Sequence, residues 1–191
     1  MDSIMIDLET LATSPNAAVI QVAAVAFDSR TGAVSPFPFT ADVDLFSAVM
    51  LGGEVEAGTA QWWRDRGGLE LKDPRPLREV LGDLSKWLAQ FKDVKRVWCH
   101  EPILSGYYER AGIACPWPYN AARDTRTVYD LAEEFGWQKP KGETAHIALR
   151  DCLAQVRCLM SALDHLRGGR KPRRCGPIGS RTALSEAEAG P

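Results

Sequence analysis

Four residues of this chain have types and spacings that could do chemistry together. Asp7 and Glu9 end the first apolar run, Ile4-Met5-Ile6-Asp7-Leu8-Glu9. In a strand, residues two apart project to the same face, so these two carboxylates point the same way. Far downstream, His146 precedes Asp151 with four residues between them. In a helix that interval puts the two side chains on adjacent turns. Two carboxylates at a strand end, met by a carboxylate and an imidazole from a distant helix, would suit a pair of hard divalent cations beside a general base. Taken singly, each has a plainer reading. The acidic pair is an exposed strand end or a helix cap, and the histidine lies on a helix surface.

The scaffold that must position these residues is bounded by length and composition. A chain of 191 residues fits one domain with a substantial core. Its 45% hydrophobic and 25% charged residues are ordinary for a globular protein. The net charge of −2 supplies no global basic field to recruit nucleic acid, so a polyanion must be met by local cations and metal. Five scattered cysteines without a C-x-x-C pair read as reduced thiols of a cytoplasmic protein. No stretch approaches a membrane span, and no basic leader precedes the first apolar run.

Periodicity then predicts the elements. Ile4–Leu8 and Val19–Phe27 read as buried strands. Val34–Thr40 reads as a third strand that Pro36 and Pro38 confine to an edge or break. Glu56–Arg66 reads as a helix ended by Gly67-Gly68. Leu77, Val80, Leu81, Leu84, Trp87, Leu88 and Phe91 form the clearest amphipathic stripe, predicting a helix over 77–91. A strand over 94–99, helices over 103–111 and 125–135, and a long final helix over 144–166 follow. This alternation predicts an α/β fold, a mixed sheet flanked by helices. Residues 1–166 would form the domain. Residues 167–191, with Arg167, Arg170, Lys171, Arg173 and Arg174 and almost nothing apolar, read as a disordered basic tail.

The ordered set of motifs resembles a known family. Met5–Leu11, Pro15–Val25, Gln61-Trp62-Trp63, Arg123–Thr127, and His146 with Asp151 are similar to the DEDDh-type 3′–5′ exonucleases of the ribonuclease T and oligoribonuclease superfamily, most of all its small phage and bacterial exoribonuclease group. The matching stretches run from about residue 4 to about residue 160. The resemblance implies a ribonuclease H-like mixed sheet flanked by helices, with Asp7, Glu9 and Asp151 as ligands of a two-metal Mg²⁺ or Mn²⁺ site and His146 as the general base. It also implies contacts to substrate from Leu8, Thr10, Trp62, Trp63 and Arg126, single-stranded nucleic acid 3′ ends as partner, and by analogy a homodimer. Adjacent helix positions point about 100° apart, so one of Trp62 and Trp63 is expected to be buried and the other available for base stacking. Arg123 and Arg126 could meet phosphate or serve the local fold.

The second acidic motif departs from the family pattern. An aspartate is expected after the strand ending near Trp98, yet no Asp occurs between Asp93 and Asp124. Counting forward from Trp98 places Ser105 in the slot. Counting back from Pro102-Ile103-Leu104 places His100 or Glu101 there, and Glu101 would substitute as a carboxylate. The disagreement reads as a short truncation. The expected activity is metal-dependent 3′–5′ hydrolysis of single-stranded RNA or DNA. The alternative is a catalytically impaired relative that binds nucleic acid or a protein through the same cleft.

Overall fold

The computed structural model describes residues 1–68, 70–99, 101–140 and 146–168. The backbone runs β1 (Ser3–Thr10), β2 (Val19–Phe27), β3 (Phe39–Asp42), α1 (Leu45–Met50), α2 (Ala57–Asp65), α3 (Leu77–Leu88), β4 (Arg96–Trp98), α4 (Glu101–Arg110), β5 (Ala122–Arg123), α5 (Thr125–Glu134) and α6 (Ala148–Gly168). The five strands form one sheet in the order β3-β2-β1-β4-β5. β1 is antiparallel to β2 and β2 to β3, while β1–β4 and β4–β5 are parallel.

Strand alternation divides the core between the two faces of this sheet. Ile4 and Ile6 pack on one side with Leu77, Val80, Leu81 and Leu84 of α3 and Leu104 of α4. Met5, Ala23, Val25 and Phe27 pack on the other with Cys152, Val156 and Leu159 of α6. The stripe predicted for α3 is the buried stripe: Leu77, Val80, Leu81, Leu84, Trp87 and Leu88 all face inward. Burying each such side chain stabilises the fold by about 1.5–3 kcal/mol. Phe91 lies beyond the helix end but still packs on the core, its ring 4.9 Å from that of Trp87.

Several predicted boundaries move. The third strand is Phe39–Asp42, and of the stretch before it only Val34 makes a lone bridge, to Phe27. Pro36 and Pro38 lack the N–H groups a ladder needs, which delays pairing until they are passed. Helix α1 was not legible. It is six residues long, and its start is set by Asp44, whose side chain accepts from the Ser47 N–H. The final helix begins at Ala148 rather than at 144, so His146 stands ahead of it in a bend. It continues through Gly168, and Arg167 donates to the Ser29 carbonyl at 2.7 Å. Residues 169–191, most of the predicted tail, lie outside the described residues. No described helix is long and apolar enough to cross a membrane.

Candidate functional site

Asp7 and Glu9 share the face of β1 occupied by Met5, which is the face covered by α6. Asp151, in the first turn of α6, therefore meets them. Ligand oxygens of Asp7, Glu9 and Asp151 all lie within 4.8 Å of one another. A helix N-terminus favours an anion, so the first turn suits Asp151. Glu9 is 7% exposed and Asp151 6%, while Asp7 is half-buried.

Packing carboxylates this closely perturbs them. Burial pushes Asp7 up to about 7; a hydrogen bond from Gln155 opposes the shift and the Asp151 charge adds to it. Burial pushes Glu9 up to about 8, reinforced by the charges of Asp7 and Asp151. The charges acting on Glu9 are thus like in sign. An all-oxygen, acidic, largely buried donor set suits Mg²⁺ or Mn²⁺, which would relieve that repulsion. Among the described residues this is the one cluster of at least three potential metal ligands.

Two glutamines that sequence reasoning passed over organise the cluster. Gln155 is one turn beyond Asp151 and donates from Nε2 to Asp7 Oδ1 at 2.6 Å. Gln21 pairs with Glu9 across β1–β2. Its Oε1 accepts from the Ala148 N–H at 2.9 Å, and its Nε2 donates to Asp42 at 2.8 Å. It thereby pins the start of α6 to the sheet. The available signals were a lone polar side chain inside the apolar run Val19–Phe27, and a polar residue on the helical face of Asp151. Cys152 adds a contact from Sγ to the Ala23 carbonyl at 3.4 Å.

His146 is the one described non-glycine residue with positive φ, at 49°. Its ring lies 4.6 Å from that of Trp62 and 6.1 Å from that of Trp63, both nearly perpendicular. Trp63 is 8% exposed and donates from Nε1 to the Thr10 carbonyl at 3.0 Å, so its ring props the end of β1 and cannot receive a base. Trp62 is half-buried, with the Arg66 guanidinium 3.9 Å over its ring. A cavity of about 760 Å³ adjoins this group, with Gln21, Asp42, Trp63, Arg66, Lys72 and His146 in its walls.

The remaining predicted residues are dispersed. Leu8 packs on the α3 side of the sheet, opposite the carboxylates. Thr10 follows a register shift in β1, and its hydroxyl donates to the Ala12 carbonyl at 2.8 Å. Arg126 is held by Asp124, the N-cap of α5, at 2.5 Å. Ser105 is half-buried within α4. Glu101 begins that helix, but its side chain, like all of His100, lies outside the described residues.

A mixed sheet of this order, with carboxylates on its central strand and on a helix across one face, is a ribonuclease H-like fold. The crystal structure of cell-death related nuclease 4 is similar to the chain, with a TM-score of 0.58 at 15% identity over 85% of this chain. The chain spans 63% of that nuclease's length. A full-length 3′-exonuclease matches with a TM-score of 0.47 at 11% identity, over 87% of this chain and 81% of the other. No curated protein matches the chain. Residues 2–163 match one family throughout, and the chain belongs to it: the 3′–5′ exoribonuclease Rv2179c-like domain family.

Proposed function

We propose that this protein is a metal-dependent 3′–5′ exonuclease acting on single-stranded RNA or DNA ends. The observation that carries the proposal is the convergence of Asp7, Glu9 and Asp151 to within 4.8 Å, from two elements far apart in sequence. In this reading the three carboxylates hold Mg²⁺ or Mn²⁺. Bound there, the cations supply charge neutralisation for the phosphoryl oxygens and a lowered pKa for water. Gln155 keeps Asp7 oriented by its hydrogen bond. His146 accepts the proton of the attacking water at a ring nitrogen, a role that suits an imidazole near neutral pH. Thr10 at the end of the carboxylate strand and Trp62 on α2 would border the terminal nucleotide, while Leu8 faces away on the α3 side and Trp63 supports Thr10 from behind; Arg126 would reach the strand only after leaving Asp124. The three carboxylates fit one cation; a second would draw its ligand from Glu101 or Ser105 only if the second acidic motif is not truncated.

The chain would work in the cytoplasm, and as a homodimer by analogy with relatives. The test is digestion of 5′-labelled single-stranded RNA and DNA with Mn²⁺. A ladder shortening from the 3′ end is expected. Intact substrate at saturating Mn²⁺ would instead favour the alternative raised by the missing aspartate, a catalytically impaired relative that binds nucleic acid or a protein partner through the same cleft.

A further inference from the structure

The ring contacts of His146 do not end at Trp62. The indole of Trp62 lies perpendicular to that of Trp63 at 5.2 Å, and Trp63 is tied by its N–H to the Thr10 carbonyl, at the end of the strand bearing Asp7 and Glu9. A continuous path of packed rings therefore runs from the carboxylate strand to the imidazole. His146 needs such support. It precedes α6, so its placement is not set by a helical ladder. Its φ of 49° is sparsely populated by residues other than glycine and persists only where the surroundings hold it. Arg66 stands one turn after Trp62, and its guanidinium covers the ring at 3.9 Å. That cation occupies one face of the indole, which a base stacking there would have to displace, and it restrains the ring against which the imidazole rests.

We propose that Trp62, braced by Arg66 and Trp63, is the positioning residue for the His146 imidazole rather than a stacking platform for a base. The inference rests on His146 serving as the general base. Loss of the brace leaves the base present but free to turn, and a misplacement of about 1 Å can cost about 10²-fold in rate. A lost stacking platform would instead weaken substrate binding, by on the order of 10-fold or more.

The test uses the full-length protein and two readouts. In the metal-free protein, the ring protons of His146, assigned with His146→Gln, should show a ring-current displacement from free-imidazole shifts by NMR. Trp62→Ala should abolish it, and Trp62→Phe should preserve most of it. With Mn²⁺ and a labelled oligonucleotide, Trp62→Ala should lower kcat by about 10²-fold with KM nearly constant, and Trp62→Phe should recover most of the rate. Matched melting transitions for the Phe variant and wild type guard against a folding artefact. A His146 resonance unmoved by Trp62→Ala overturns the proposal. So does a rise in KM with kcat intact, which would mark Trp62 as a base platform. A His146→Gln variant that hydrolyses normally would instead overturn the base assignment, and the positioning role with it.

Discussion

Replacing Asp7 with Asn should move stability and activity in opposite directions. Asn keeps the size of the side chain, and its Oδ1 can still accept the Gln155 hydrogen bond. What changes is charge. With ligand oxygens up to 4.8 Å apart, two full charges at an effective dielectric of about 20 repel by about 3.5 kcal/mol. Asp7 is half-buried, and its carboxyl is pushed up to about 7, so near neutral pH it carries only part of that charge. The relief on substitution is then about 1–2 kcal/mol. For a domain of this size 1 kcal/mol corresponds to roughly 2–4 °C in Tm, so metal-free Asp7→Asn should melt several degrees above wild type. Saturating Mn²⁺ should reverse the order. A cation at 100 times its Kd stabilises the wild type by about 2.7 kcal/mol, and the variant, short of a ligand, should gain little. Cleavage of 5′-labelled single-stranded RNA should be lost. Differential scanning calorimetry with and without Mn²⁺, run beside the cleavage assay, reads all three effects. A variant that is less stable without metal, yet keeps the Mn²⁺ shift and normal cleavage, would refute the reasoning and mark the cluster as structural.

The other expectations concern the residues around this cluster. His146→Ala should slow hydrolysis by roughly 10²–10⁴-fold without changing the Mn²⁺-induced shift in Tm; a tenfold loss of metal affinity would make His146 a ligand. His146→Gly should be more stable than His146→Ala by about 1 kcal/mol, because only glycine takes φ 49° without a Cβ penalty; equal melting temperatures would count against strain there. Folded protein holds protons on Asp7 and Glu9 that the unfolded chain releases near their ordinary values of 3.8 and 4.5. Metal-free stability should therefore fall as pH rises from those values toward about 8, while the Mn²⁺ shift grows over the same range; a metal-free Tm flat with pH would contradict it. Gln155→Ala removes the hydrogen bond that favours ionised Asp7, so it should raise the pH at which Mn²⁺ takes hold, read by metal titration at several pH values. Ser105→Asp should leave Mn²⁺-dependent cleavage unchanged if the second motif is truncated, and a strong gain in rate would assign that position to a second cation.

Local patterns in the sequence were enough to determine much of the scaffold. The apolar runs at Ile4–Leu8 and Val19–Phe27 read as buried strands and are strands, and the period-two rule put Asp7 and Glu9 on one face. The stripe from Leu77 to Leu88 named the buried side of α3 residue by residue. The resemblance carried by Asp7, Glu9, His146 and Asp151 pointed to the family that residues 2–163 match. Boundaries were less legible where one residue outweighs periodicity, as at Pro38 before β3 and Asp44 before α1. Tertiary packing alone decided what those carboxylates meet. It brings Asp151 across from α6, makes Gln155 a partner of Asp7, and turns Gln21 from a strand residue into the anchor of a helix start. It also buries Trp63 and sets Trp62 against His146. These contacts join residues separated by up to 148 positions. Their geometry follows from how the helices seat on the sheet, which no local window of sequence contains.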